Sequence, residues 1–263
     1  MPLYRMKKVW EYSTYNKLFF LLILLLCCVW VFFDLYFEDV DSIQAFFIAL
    51  IMDIAFFGYG LSITRDIMNY GVRLPKIMFK DVLILGFKSV FVYSIYVGIQ
   101  GYILDFICSP LDFPHFDLED MLIDTSETIH LLYSHNPVDT LVFIVVGAVL
   151  FYITVFFMEI ALARLADTGS LKSALDVRGI KKDIDTIGWR NYAKDYTFIV
   201  LAMVFFAYLT VIQIPFDILN FVWGVFAALL MFITQFWGIG FIYRTVKEKE
   251  KEKEESDHSP SES

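Results

Sequence analysis

Three ionisable residues stand inside long apolar stretches: Asp53, Lys88 and Glu159. A charge at the centre of a bilayer costs about 2.5–3.5 kcal/mol on insertion scales, so such residues turn inward and mark polar sites. Asp53 lies about ten residues from either end of its apolar run, which at 1.5 Å per residue is close to the midplane. Lys88 and Glu159 lie nearer the ends of theirs. Their long side chains can snorkel to interfacial water instead. Lys88 belongs to the run that follows the one holding Asp53, so antiparallel packing would let the two meet. A buried Asp53–Lys88 pair is therefore one expectation, and snorkelling of Lys88 and Glu159 is the other. Gln100, Gln213 and Gln235 also fall within apolar runs and read as helix-to-helix hydrogen bonds.

Other chemistry is scarce. The chain has no nucleophile elbow, P-loop, GxGxxG or HExxH. Asp183 and Asp185 form one acidic pair with no second pair to face it. No catalytic residue, no enzymatic activity and no cofactor is expected. His115, His130 and His135 sit among acids without a recognisable ligand spacing, so they read as solvated loop residues and no metal site is expected. Cys27, Cys28 and Cys108 give neither a disulfide framework nor a CxxC. A net charge of −9 argues against nucleic acid, whose phosphates need basic patches.

The elements that hold these residues follow from hydropathy. Of 263 residues 58% are hydrophobic and 19% charged, more apolar and less charged than a soluble domain. Apolar runs fall at about 18–37, 43–63, 82–104, 139–163, 196–214 and 217–243. Each is near the ~20 residues that a spanning helix needs, and backbone groups in lipid are satisfied only in helices or closed barrels. The expected fold is an all-α polytopic bundle of six transmembrane helices over residues 18–243. Residues 1–17 form an interfacial lead-in, and 244–263 a charged, mostly disordered tail beyond a helical extension of the last span. The basic start could open a signal peptide, but Asp34, Glu38 and Asp39 stand where small residues would precede cleavage.

Lys and Arg set the direction. Segments 1–17 and 64–81 carry four each, 164–195 carries seven and the stretch after Tyr243 five, whereas 38–42, 105–138 and 215–216 carry none. This strict alternation predicts both termini in the cytoplasm and a multi-pass protein of the plasma membrane. The acidic connection 105–138 is then external, with 117–133 as a short surface helix.

The two internal connections are the informative ones. Gly58 to Asp81 carries Arg65, Arg73, Lys76 and Lys80 and breaks at Gly71 and Pro75. Close helix packing at Gly58 is one reading, and an unwound substrate site at Gly58-Tyr59-Gly60 the other. Gly98, Gly101, Gly147, Gly224, Gly238 and Gly240 read as packing positions. In the second connection a helix from Leu171 carries Val177, Ile180, Ile184 and Ile187 on one stripe. Arg178, Lys181, Lys182, Asp183 and Asp185 fall elsewhere on its wheel, and Gly188 ends it. The stripe either lies in the interface, with Arg178, Lys181 and Lys182 on lipid headgroups, or packs beneath the bundle. The hairpins 43–104 and 139–214 share a plan that parallel repeats would give, though their sequences are barely alike.

The motif residues Gly58, Tyr59, Arg65, Gly71, Leu74 and Pro75, with Gly86, Lys88 and Tyr93 beyond them, carry a resemblance. The chain resembles the archaeal integral-membrane family called domain of unknown function number 4013. The stretch from Ala161 to Tyr192 is similar to that family's second internal connection, and the resemblance covers roughly 43–243. It implies a membrane architecture in a prokaryotic, archaeal-type membrane and no particular reaction. Two readings of function stand. One is a transporter-like protein with a polar site near Asp53. The other is a structural or scaffolding membrane protein whose basic inner loops bind lipid or a partner protein, a second copy included. Membrane lipids are the expected partners.

Overall fold

The computed structural model describes residues 2–37, 43–109, 134, 136–211 and 217–258. Among them every regular element is a helix: α1 (Pro2–Thr14), α2 (Lys17–Phe37), α3 (Ile43–Met68), α4 (Phe79–Cys108), α5 (Pro137–Thr168), α6 (Leu171–Ala174), α7 (Val177–Ile187), α8 (Trp189–Val211) and α9 (Asp217–His258). Five are long and apolar enough to cross a membrane, within Phe47–Met68, Phe79–Cys108, Pro137–Thr168, Trp189–Leu209 and Ile218–Glu252. The sixth expected span, α2, contributes a shorter apolar stretch, Phe20–Val29. The expected surface helix at 117–133, His115, His130 and His135, and Gln213 lie outside the described residues.

The chain divides into two compact units, Met1–Val92 with Glu159–Ser263, and Tyr93–Met158. In the larger unit α9 is the central helix, packed on α3 and α8 and also touching α2 and α7. Aromatic rings fill its seam with α3: Phe56 and Phe232 lie 4.2 Å apart by centroid, and Phe232 and Phe236 5.0 Å. Thr64 donates its hydroxyl to the Phe236 carbonyl at 2.9 Å, so this buried hydroxyl is satisfied without water. The helical extension of α9 carries on to His258, further than its charge run suggested.

Gly58 and Gly86 bring α3 and α4 together. A methyl group on Gly86 would overlap the Ile54 carbonyl, and one on Gly58 the Val82 carbonyl. α3 runs helical through Gly58, Tyr59 and Gly60, so the unwound site is not formed and the packing reading holds there. Gly98 and Gly101 differ from expectation, because no described atom lies within 4 Å of where their Cβ would be. In the smaller unit, Gly147 makes only an ordinary contact with Leu104. There α5 begins in a cap: the Asn136 side-chain oxygen accepts from the Val138 and Asp139 backbone N–H groups at 3.2 Å each. The Asn136 amide returns a bond to the Asp139 carboxylate at 2.8 Å. Asn at the cap, Pro137 next and an acid at the third position satisfy donors that the helix leaves open.

Candidate functional site

The charged residues of the larger unit gather where α5 ends. The last carbonyls of a helix have no partner within it and carry partial negative charge, so cations favour that end. Three arrive from three helices. Arg65 of α3 donates from Nε to the Ala166 carbonyl at 2.5 Å, and Lys88 of α4 donates from Nζ to the Gly169 carbonyl at 2.6 Å. Lys247 of α9 pairs with Asp167 at 2.6 Å. Gly169, at φ +67, takes the left-handed turn that ends α5, its N–H on the Leu165 carbonyl at 2.8 Å. Lys88 thus reaches toward a helix end, the snorkelling alternative. Its hydrogen bond goes to Gly169 and not to Asp53, so the expected Asp53–Lys88 pair is replaced. Asp53 itself is half-buried in α3.

One turn earlier on α5, Arg164 fastens the second basic connection. Its Nη1 meets the Asp183 carboxylate at 2.6 Å, its Nη2 lies 3.7 Å from Asp176, and its Nε donates to the Ser173 carbonyl at 2.9 Å. Tyr243 of α9 donates a second bond to Asp183 at 2.9 Å. The pair is enclosed, with 16% of the Arg164 side chain and 7% of the Asp183 side chain exposed. A side chain at Gly179 would collide with the Arg164 guanidinium, so α7 needs a glycine where the arginine crosses it. The single helix expected from Leu171 is broken at Leu175 and Asp176 into α6 and α7. The break lies where Arg164 takes the Ser173 carbonyl.

α7 is amphipathic as expected, and its stripe packs on α8 and α9. Ile180, Ile184 and Ile187 are buried. Two positions differ from the sequence reading. Val177 is 73% exposed, and Asp183 lies on the buried side. Residues 180, 183, 184 and 187 fit one helical face by the i, i+3, i+4, i+7 spacing, and that signal could have placed Asp183 inward. With the stripe occupied, Arg178, Lys181 and Lys182 are left exposed, and among the described residues none has an ion-pair partner. Lys249 donates to the Thr186 carbonyl at 2.5 Å and holds the far end of α7.

The first basic connection folds back on the same end. After α3, Tyr70 takes a left-handed conformation at φ 65. The Gly71 N–H reaches the Asp66 carbonyl at 2.7 Å and the Tyr70 N–H the Ile67 carbonyl at 3.1 Å. These are the two bonds of a Schellman cap, with a tyrosine where glycine is usual. The Tyr70 ring is held under the Arg244 guanidinium, 3.5 Å from its centroid, while its hydroxyl donates to Glu248 at 2.9 Å. Gly71 leaves room for the Asp66 carboxylate, which accepts the Tyr12 hydroxyl of α1 at 2.8 Å. Burial, and then the Asp66 charge, push the Tyr12 phenol above its usual range, so it stays a donor. Leu74 is buried, and the Pro75 carbonyl accepts the Tyr59 hydroxyl at 3.1 Å. Gly71, Leu74 and Pro75 therefore shape this connection, and Tyr59 and Arg65 tie it to the bundle.

Glu159 takes no part in these ion pairs and cap contacts, its partner being Gln235. It is 4% exposed. Gln235 of α9 donates to its Oε1 at 3.0 Å, and its Oε2 has no hydrogen-bond partner among the described residues. Snorkelling is not what this side chain does. Gln235 makes the helix-to-helix bond expected of it. Among the described residues no group of three or more His, Cys, Asp or Glu side chains is placed to hold a metal. As a whole the site fixes charge in place: it immobilises two connections and turns three basic side chains outward.

No curated protein and no solved structure matches this chain. One family model does, that of a protein of unknown function, DUF4013, over residues 43–221. The matched range contains the glycine contact of α3 with α4, the Arg65 and Lys88 bonds to the end of α5, and the whole of α6 and α7. This chain belongs to the DUF4013 family.

Proposed function

We propose that this protein is a six-span scaffold of the cell membrane, with both termini cytoplasmic, whose internal face binds anionic lipid headgroups. α2 is 21 residues long, about 31 Å at the helical rise, which matches a hydrocarbon core of roughly 30 Å. Counting it as a span keeps every basic connection on one side. The observation that carries the functional reading is the orientation of α7. Its apolar face is used up against α8 and α9, so Arg178, Lys181 and Lys182 stand together on its exposed face. Basic residues beside an anionic leaflet contribute about 1 kcal/mol each. The proposed role is not enzymatic.

The test is lipid retention. The protein is reconstituted with mixed phosphatidylglycerol and phosphatidylcholine, extracted, and its bound lipid analysed by native mass spectrometry. Enrichment of phosphatidylglycerol is expected, lowered by salt and lost in the Arg178→Gln/Lys181→Gln/Lys182→Gln variant. Equal retention of the two lipids by both proteins would overturn the reading.

A transporter-like reading has one observation behind it, the buried Glu159 with an unpaired carboxyl oxygen. Lipid-exposed charge is costly, and intramembrane acids line ion or proton paths. A proton leak in proteoliposomes that disappears in Glu159→Gln would favour it over the scaffold.

A further inference from the structure

α1, α8 and α9 enclose a half-open groove of about 160 Å³. Its walls are Trp10 of α1, Phe198 and Ala202 of α8, and Leu230, Trp237 and Ile242 of α9. Polar lining is confined to Thr234 and to Asp195, in the second turn of α8. An ordered water needs two to four polar partners, and an apolar cavity of about 150 Å³ stays dry and takes up apolar molecules. Most of the groove's wall therefore suits an apolar occupant better than water. Two of its walls, α8 and α9, are helices long and apolar enough to cross a membrane, so with these helices embedded the groove borders on hydrocarbon.

The position of α1 says what kind of molecule fits. Tyr12 ties α1 to Asp66 near the end of α3, which puts Trp10 at the level where span gives way to basic connection. Lys7 lies one turn before Trp10 on the same side of α1. Its side chain is 73% exposed and its contact with Glu11, at 3.7 Å, is a long surface pair of the kind that contributes little. A lysine one helical turn from the groove's Trp10 suits a phosphate at the end of a hydrocarbon chain. We propose that this groove holds one hydrocarbon chain of a membrane phospholipid from the leaflet at the basic end, with its phosphate beside Lys7. The site needs only the membrane embedding of α8 and α9 and does not depend on headgroup binding by α7.

Trp237 makes the proposal measurable. It lines the groove yet is only 8% exposed, so a chain comes up against its ring by entering the groove. A variant keeps Trp237 as the single tryptophan, with Trp10, Trp30, Trp189 and Trp223 changed to Phe. It is reconstituted in phosphatidylcholine brominated on the acyl chain, and fluorescence is compared with that in unbrominated lipid. Strong quenching is expected. Filling the groove from either wall, by Ala202→Phe or by Leu230→Phe, should remove most of it. Removing the three basic residues of α7 should leave it unchanged, which separates this site from the headgroup site. Absence of quenching, or quenching that survives both fillings, would overturn the proposal.

Discussion

Arg164 and Asp183 form the buried ion pair on which the basic end is built. Removing one partner of such a pair strands a charge and costs about 3–5 kcal/mol, while replacing both with apolar residues can be nearly neutral. Asp183→Asn should therefore lower the thermal stability of the purified protein strongly. Arg164→Met combined with Asp183→Leu should recover most of the loss. Equal loss in the single and double variants would show that the two residues do not act as a pair. Lys88 is a different case. Its bond to the Gly169 carbonyl is a hydrogen bond from a charged donor, a class that contributes about 1.5–3 kcal/mol. Lys88→Met should destabilise by that order, and adding Asp53→Leu should not restore it, as read from thermal unfolding. Rescue by Asp53→Leu would revive the Asp53–Lys88 pair. The sequence made Lys88 conspicuous because an apolar run surrounds it. It hid Arg164, which looked like one more positive charge in a basic loop, and Tyr243, whose partner lies 60 positions away.

Helix contacts were legible where sterics leave no choice and illegible where they do. Glycine in a membrane helix signals close approach, and at Gly86 the neighbouring backbone is there. At Gly98 it is not, because no described neighbour lies within 4 Å of where its Cβ would be. The same residue type therefore predicts opposite outcomes. Gly86→Leu should force α3 and α4 apart and cost about 1–3 kcal/mol, the range for overpacking. Gly98→Leu should leave the melting temperature in detergent nearly unchanged. Similar losses in both would contradict the contact. The amphipathic stripe of α7 was readable because three isoleucines repeat at helical spacing. What it packs against was not, since lipid and a bundle underside are equally apolar. The break between α6 and α7 was also hidden, because Arg164 rather than a local breaker residue coincides with it. Tyr70 shows the same limit: Gly71 marked the turn, yet the left-handed residue is the tyrosine before it, held by Arg244 and Glu248.

At the scale of the molecule, charge distribution and helix ends give one consistent picture. Arg65, Lys88, Arg164 and Lys247 all act at the same end of the bundle, and the exposed trio on α7 is displayed there as well. Of the six expected spans α2 contributes only a shorter apolar stretch. The other five were visible in the sequence as helices of sufficient apolar length, because the membrane imposes length and composition directly. The inward-facing chemistry was not, because an inner and an outer face of a spanning helix are both apolar. The cytoplasmic scaffold requires the Arg65, Lys88, Arg164 and Lys247 contacts at the end of α5 to lie on the inner side of the membrane. Its most direct test is cysteine accessibility in intact cells, in a background lacking Cys27, Cys28 and Cys108. A cysteine at exposed Lys182 should react with a membrane-impermeant maleimide only after permeabilisation. A cysteine at exposed Ser134, beyond the other end of α5, should react in intact cells. Labelling of Lys182→Cys in intact cells, with Ser134→Cys protected, would invert the topology and contradict the cytoplasmic scaffold.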